Sequence, residues 1–257
     1  MTEIRILECR LETSFLIYKN IRKQIQQTKM LMHSLKKQKK LDLHNEKFLA
    51  THINLLTQQI RKIRESAENT LNEHPFYQLY LSKIPATMNM KWCILGRLSP
   101  AKFTKATAIY KYIGLSPSTK KGYDGFAKYI LFKGAFRTLN TKQYKELDDY
   151  LVNKHIKNVK RKYPDKTEKQ IRQIAQRRAI RDFLRMFIAN TYDAYVLFFE
   201  NSIEKPSYYV VKDGKKIYPL FIPRGKTPDI NYFMGKMILQ IKKHKVDPQP
   251  IYNLWKS

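Results

Sequence analysis

Two long apolar seams dominate the first part of the chain. Apolar residues recur at alternating steps of three and four over residues 4–35, and a second seam of the same kind runs over residues 49–71. This spacing is typical of helices that pack side by side as in a coiled coil. The polar and charged run at residues 36–40 suits the tip of an antiparallel hairpin. The first seam consists of Ile4, Leu7, Leu11, Tyr18, Ile21, Ile25, Met32 and Leu35.

The pattern therefore predicts an antiparallel helical hairpin over residues 1–73. This hairpin is either a coiled-coil arm that brings protomers together, or a pair of helices packed on the rest of the fold. In the first case we expect a homodimer or higher oligomer through the N-terminal helices.

A second unit is predicted over residues 74–200. Pro75 ends the second helix, because the residue before a proline is pushed out of helical geometry. Gly114 is placed to cap a further helix, and it begins the longest turn-rich stretch of the chain. Helical spacing occurs at 91–98, 104–113, 129–139 and 141–161.

A long basic helix closes this unit. Asp165 and Glu168 have the spacing of a capping box, which predicts a helix start there and an end near Glu200. Its apolar seam is flanked by arginines. The seam consists of Ile171, Ile174, Ala175, Ile180, Phe183, Phe187 and Tyr195.

The remaining residues, 201–257, change in character. Two β-prone runs flank Asp213 and Gly214, which predicts a hairpin turn. Repeated prolines then predict an extended wrap around one further helix at residues 232–243. The fold class is therefore mainly α, with an N-terminal helical hairpin, a central helical domain and a small C-terminal β-hairpin with an extended tail.

The charge balance suggests a partner. Lys and Arg number 50 against 21 acids, and the formal net charge is +29. A folded surface with this charge repels itself unless anions cover it. The basic residues alternate with tyrosines and polar groups along the chain. In a helix that binds a membrane surface, the basic residues lie on one face and a continuous apolar face lies opposite. We therefore expect a soluble, intracellular, nucleic-acid-associated protein, with DNA or RNA as its partner and no membrane.

The sequence does not favour metal or cofactor chemistry. Cys9 and Cys93 lie in unrelated contexts, the six histidines show no paired ligand spacing, and the glycines form no phosphate-cradling loop. The acids of the second unit lie in helical contexts without strands, so ion pairs with lysine are their ordinary role. We expect no cofactor and no metal.

Several stretches of the second unit resemble a known family. They are LYLSKIP (79–85), FTKATAIYKYIGLSPSTKKG (103–122), KYILFKGAFRTLN (128–140) and RQIAQRRAIRDFLRMF (172–187). Together they resemble the C-terminal domain of IS110/IS116/IS902 insertion-sequence transposases, over roughly residues 74–200. The most specific of the shared motifs is GLSPS at residues 114–118.

The resemblance implies a helical DNA-binding domain with a helix-hairpin-helix-like entry, which acts in DNA recombination or transposition. It also implies a serine nucleophile, for which Ser118 and Ser116 are the candidates, with Lys120 and Lys121 beside them. Two departures matter. Ala86 and its neighbours replace the hairpin glycines, and Lys121 stands where the family has a further serine. The family's RNase H-like acidic domain has no counterpart, so the chain is expected to be incomplete or inactive as a recombinase on its own.

Three functional hypotheses follow: a DNA-binding protein related to such transposases, an active serine recombinase, and a packaging, scaffold or RNA-binding protein. The DNA ligand could be branched or distorted, in which case Tyr123 and Phe126 are candidates for stacking on an unpaired base. Thr119 and fourteen cations are the predicted nucleic-acid contacts. These cations are Lys91, Arg97, Lys102, Lys105, Lys111, Lys120, Lys121, Lys128, Lys133, Arg137, Arg172, Arg177, Arg178 and Arg181.

Overall fold

The computed structural model describes residues 2–116, 122–221 and 228–251. Over these residues the chain is mainly α-helical, with a small sheet near its C-terminal end, which confirms the predicted fold class. The helices are α1 (Thr2–Lys37), α2 (Leu43–Glu73), α3 (Pro75–Leu79), α4 (Met88–Trp92), α5 (Ala106–Tyr112), α6 (Gly125–Leu139), α7 (Lys145–Lys162), α8 (Glu168–Glu200) and α9 (Pro228–Lys243). The strands are β1 (Val210–Lys212), β2 (Lys215–Leu220) and β3 (Asp247–Pro250).

Helices α1 and α2 form the predicted hairpin, but its two halves pack differently. Near the chain start, Leu11, Phe15 and Tyr18 of α1 belong to one core that extends through the molecule to Ile251. Towards the tip, a separate small cluster of α1 and α2 side chains holds the two helices together. The base of the hairpin is therefore part of the central fold. Phe15, which the seam omitted, is almost fully buried and contacts the ring of Trp92.

The backbone of α1 is docked closely on the segment after α4. The indole Nε1 of Trp92 donates to the carbonyl of Leu11 at 2.9 Å. Gly96, in the π-helical turn Cys93–Arg97, lies against the same point, and a Cβ there would be 2.8 Å from the Leu11 carbonyl carbon. Only a residue without a side chain permits this approach.

Helix α8 is the central helix of the fold. Its first half buries the predicted seam, while residues 186–191 are buried on all sides. Its start differs slightly from the prediction, because Thr167 and Gln170 form the capping box instead of Asp165 and Glu168. Thr167 is the first residue whose hydroxyl can accept from the free N–H groups of the first turn.

The C-terminal sheet contains one strand that the sequence did not predict. β1 and β2 form the expected antiparallel hairpin, and β3 pairs with β2 in parallel. Pro248 and Pro250 concealed β3, since proline is tolerated only on the edge of a sheet. The Asn190 side chain of α8 continues the other edge of β2: it donates to Pro219 O at 2.6 Å and accepts from Phe221 N at 3.1 Å.

Asp193 joins α8 to this sheet region. Its carboxylate is 1% exposed and accepts from the backbone N–H of Ser207 at 2.9 Å, from the Ser207 hydroxyl and from the Tyr218 hydroxyl at 2.5 Å. Burial raises the pKa of Asp193 to about 6, although these bonds act in the opposite direction.

Replacing Gly96 by alanine tests the close docking of α1. The new methyl group meets backbone that cannot yield unless α1 moves, so we expect Gly96→Ala to lower the free energy of unfolding by about 1–3 kcal/mol. Gly235→Ala in α9 is the matched control, because a Cβ there meets nothing within 4 Å. The control should be neutral or stabilising by up to about 1 kcal/mol. Urea unfolding of both variants measures this, and equal stabilities would contradict the docking.

Because the pKa of Asp193 is raised, we expect the free energy of unfolding to depend on pH. Its folded pKa lies above the unfolded value, so its contribution is full below about pH 4 and is lost as the pH rises through about 6. Asp193→Asn stays neutral and lacks this dependence. Between pH 5 and 7.5, the unfolding free energy of the wild type should fall by about 1–2 kcal/mol relative to that of the variant. Parallel pH profiles in urea unfolding would exclude this.

Candidate nucleic-acid interface

A groove runs between α1 and α6. Its volume is about 1160 Å³, and a recess of about 230 Å³ adjoins it. Arg22 and Tyr129 line both, so the two form one continuous surface, which we call the basic groove. It is lined by Lys19, Asn20, Arg22, Lys23, Gln26, Lys29, Met30, His33, Ser34, Lys37, Phe126 and Tyr129, and in the recess by Arg64, Thr87, Met88, Asn89, Lys133, Gly134 and Arg137 among others.

The charge of the basic groove is entirely of one sign. Among the described residues that line it, none is Asp or Glu. None of its lysines and arginines forms an ion pair with a described carboxylate. Its eight cations are Lys19, Arg22, Lys23, Lys29, Lys37, Arg64, Lys133 and Arg137.

Helical periodicity explains why these cations meet. On α1 they recur at steps of three, one, six and eight residues beside the apolar seam, so burying the seam turns them to one side. From Lys19 to Lys37 they extend along about 27 Å of helix. On α6, Tyr129, Lys133 and Arg137 are spaced four apart and share one face.

The start of α6 is fixed by an ion-pair network. Asp124 caps the helix by accepting from the N–H groups of Phe126 and Ala127, and Arg97 donates to its carboxylate at 2.8 Å. Arg97 also donates to Glu12 of α1 at 2.9 Å. These bonds lower the pKa of Asp124 against the effect of burial. The network links α1 to α6 and so sets the distance between the two walls of the groove.

Tyr129 stands at the centre of the basic groove and is 45% exposed. The Lys133 ammonium donates to its hydroxyl at 3.4 Å. This hydrogen bond, with smaller effects from Lys133 and Arg22, lowers the pKa of Tyr129. A phenol with a lowered pKa reports a positive local potential, which is the property that a phosphate-binding surface needs.

A second cationic area lies at the turn after α5. Lys128 donates to Gly114 O at 3.3 Å and lies over the Tyr123 ring at 4.4 Å. Burial lowers the pKa of Lys128, and the charge of Arg181 on α8 lowers it further. Arg185 donates to Leu115 O at 2.8 Å. Cations of α6 and α8 therefore lie close together at this turn.

Three of the sequence-predicted contacts are placed elsewhere. Lys91 is 7% exposed, and its ammonium donates to Ser82 O at 3.0 Å. Arg97 is held by two carboxylates, and Lys102 lies 2.5 Å from Glu12. Burial and pairing remove all three from the open cationic surface.

The other predicted residues are distributed over several parts of the molecule. Lys133 and Arg137 line the basic groove, and Lys128 and Arg181 lie at the turn. Arg178 is half-buried. Four more are exposed: Lys105, Lys111, Arg172 and Arg177. Ser118, Thr119, Lys120 and Lys121 lie outside the described residues, and Ser116 is half-buried and has an interaction partner.

Six cations of the basic groove were missed from the sequence. They are Lys19, Arg22, Lys23, Lys29, Lys37 and Arg64. The prediction for the hairpin used only its apolar seam, although a basic stripe lies beside that seam on α1. That stripe was the available signal, since the positions of its lysines and arginines in the chain place them on one side of a helix.

Comparisons of the chain with protein-family models, with curated proteins and with solved structures found no match. In the described parts of the chain, no three or more His, Cys, Asp or Glu residues are grouped so that they could hold a metal ion. None of the described helices is both long enough and apolar enough to span a lipid bilayer.

Proposed function

We propose that this protein binds nucleic acid through the basic groove between α1 and α6. The observation that carries the proposal is the set of eight cations that line one groove with no carboxylate among the described lining residues. Held in one concave surface, they repel one another, and a polyanion that enters relieves this repulsion and releases its own counterions.

The shape and chemistry of the groove favour a nucleic acid over other anions. Its volume exceeds the roughly 300–1,000 Å³ of ordinary small-molecule pockets, as a polymer ligand requires. A membrane-binding helix would expose a continuous apolar face, whereas the middle of the apolar seam of α1, from Leu11 to Ile25, is buried. An exposed aromatic ring among cations is typical of surfaces that bind nucleotides.

The resemblance to IS110-type transposases favours DNA, with recombination as the setting. The first residues of the GLSPS motif support this, because Lys128 donates to Gly114 O and Arg185 donates to Leu115 O. The charge of Arg181 also lowers the pKa of Lys128. In this proposal the protein acts with a transposase, or is derived from one, and the basic groove holds the substrate. A packaging or RNA-binding role uses the same groove without specificity for DNA or for a junction.

Neutralising two groove lysines tests the proposal. Lys29→Gln with Lys133→Gln removes one cation from each wall and should weaken binding of a labelled DNA about tenfold or more. It should also reduce the slope of log K against log salt by about 1.4–1.8. Fluorescence anisotropy between 50 and 200 mM salt measures both quantities.

The matched control is Lys242→Gln with Lys243→Gln, at exposed positions in the last turn of α9. It removes the same net charge from a surface away from the groove. Equal losses in the two double variants would show that overall charge, and not the groove, drives binding, and would contradict the proposal.

A serine recombinase is the second candidate, favoured by the surroundings of Leu115, the residue before Ser116. The Arg185 guanidinium reaches Leu115 O at 2.8 Å and Asp182 at 3.8 Å, and Asp182 lies 2.9 Å from His155. A cation thus lies beside the residue that precedes Ser116, and behind this cation lie a carboxylate and an imidazole. In this reaction a serine Oγ displaces one ester oxygen of a phosphodiester, and the protein becomes linked to a DNA end.

The recombinase hypothesis predicts a covalent protein–DNA adduct after incubation with branched or supercoiled DNA and a divalent cation. The adduct should be lost in Ser118→Ala or Ser116→Ala, and DNA binding should be retained. Denaturing electrophoresis with labelled DNA detects it. An adduct that persists in both variants, or none in the wild type, would restrict the function to binding.

A further inference from the structure

We propose that the recess of the basic groove binds an unpaired base, so that the preferred ligand is a single-stranded or locally opened nucleic acid segment. This inference rests on the proposed function, and it specifies the ligand of the same groove. Three features of the recess carry it: an exposed aromatic ring, a buried amide oxygen without a partner, and cations around both.

The aromatic ring is that of Tyr129. It is 45% exposed, in contrast to the other aromatic residues that line the groove, Tyr18 and Phe126. The ring of Phe126 packs beside the ring of Tyr129, with centroids 6.4 Å apart and ring planes inclined by 31°. The Lys133 Nζ is 3.4 Å from the Tyr129 hydroxyl but 5.7 Å from the ring centroid, so the ammonium lies beyond the hydroxyl and leaves the ring accessible. A supported, accessible ring is a platform on which a base can stack.

The amide oxygen is that of Asn89, which lines the recess near Tyr129. Its Oδ1 is buried and has no hydrogen-bond partner among the described residues. A buried acceptor without a partner is unfavourable and is rare in folded proteins. Every natural base carries an N–H group on its pairing edge, and this edge is free only when the base is unpaired. An entering base can therefore supply the missing donor.

The surrounding cations fix the register of the strand. Arg22, Arg64, Lys133 and Arg137 line the recess together with Tyr129 and Asn89. The phosphates on either side of a stacked base lie on the same strand, so cations around the ring can hold both. The recess, at about 230 Å³, has room for a small flat group but not for the width of a base-paired double helix. A duplex would reach only the outer groove, and its bases would remain stacked inside it.

The test compares a labelled 12-nucleotide dT strand with a 12-base-pair duplex. Tyr129→Ala should weaken binding of the strand about 5- to 150-fold, the range found when one stacking residue is lost. Binding of the duplex should change by less than about twofold. Tyr129→Phe keeps the ring and should retain strand binding. A strand of rU in place of dT shows whether the same subsite accepts RNA.

Asn89→Leu provides a second, independent measurement. It removes the unpartnered acceptor, so the variant should weaken strand binding while its stability in urea stays equal or rises. A purely structural asparagine would lose stability instead.

Failure of this inference is distinct from failure of the proposed function. The inference of base stacking is wrong if Tyr129→Ala weakens binding of the strand and of the duplex equally. It is also wrong if Tyr129→Phe loses as much affinity for the strand as Tyr129→Ala. The groove would still bind phosphates if the double variant Lys29→Gln and Lys133→Gln loses affinity. If that double variant binds as tightly as its control, the proposed function fails as well.

Discussion

The close contact between α1 and the segment after α4 is the constraint on which the rest of the structure depends. Gly96 lets two backbones meet with no side chain between them, and Trp92 bonds the Leu11 carbonyl at the same point. The π-helical turn that holds Gly96 also packs against α6. One contact therefore positions both helices that form the walls of the groove. A larger residue at position 96 would move one wall relative to the other.

The distribution of acids explains why a strongly basic chain has a usable cationic groove. Several carboxylates are placed where they organise the fold. Glu12 and Asp124 bind Arg97, Asp182 binds His155, and Asp193 is buried against Ser207 and Tyr218. Arg97 and Lys102 are thus neutralised, while none of the groove cations forms an ion pair with a described carboxylate. Eight cations without such a pair therefore line one groove, between α1 and α6.

Much of the fold could be predicted from the sequence, because the apolar seams are long and regular. The hairpin, the long helix α8, the turn at Asp213 and Gly214 and helix α9 all follow from local spacing. Strand β3 could not be predicted in this way, since its prolines are compatible with a strand only through pairing on one side of β2. Pairing is a long-range property that a local pattern does not contain.

The candidate site was harder to predict than the fold, for a physical reason. Sequence shows that a lysine is present but not whether a carboxylate from another element neutralises it. Arg97 and Lys102 were predicted as phosphate contacts. In the structure, Glu12 of α1, far away in the chain, binds both. Lys29 and Arg64 were not predicted as contacts, because the apolar pattern of the hairpin does not show that they line one groove.

The packing of distant segments decides which cations remain unpaired. It also brings cations close together at the turn after α5. Lys128 and Arg181 are held there close enough for one charge to lower the pKa of the other. Two like charges kept together by helix packing represent unfavourable free energy in the unliganded protein, which an anion at this place would relieve. The groove and the turn lie on neighbouring faces of α6, at Tyr129 and Lys128. A ligand held in the groove would therefore meet Gly114 and Leu115 of the turn by continuing across one helix.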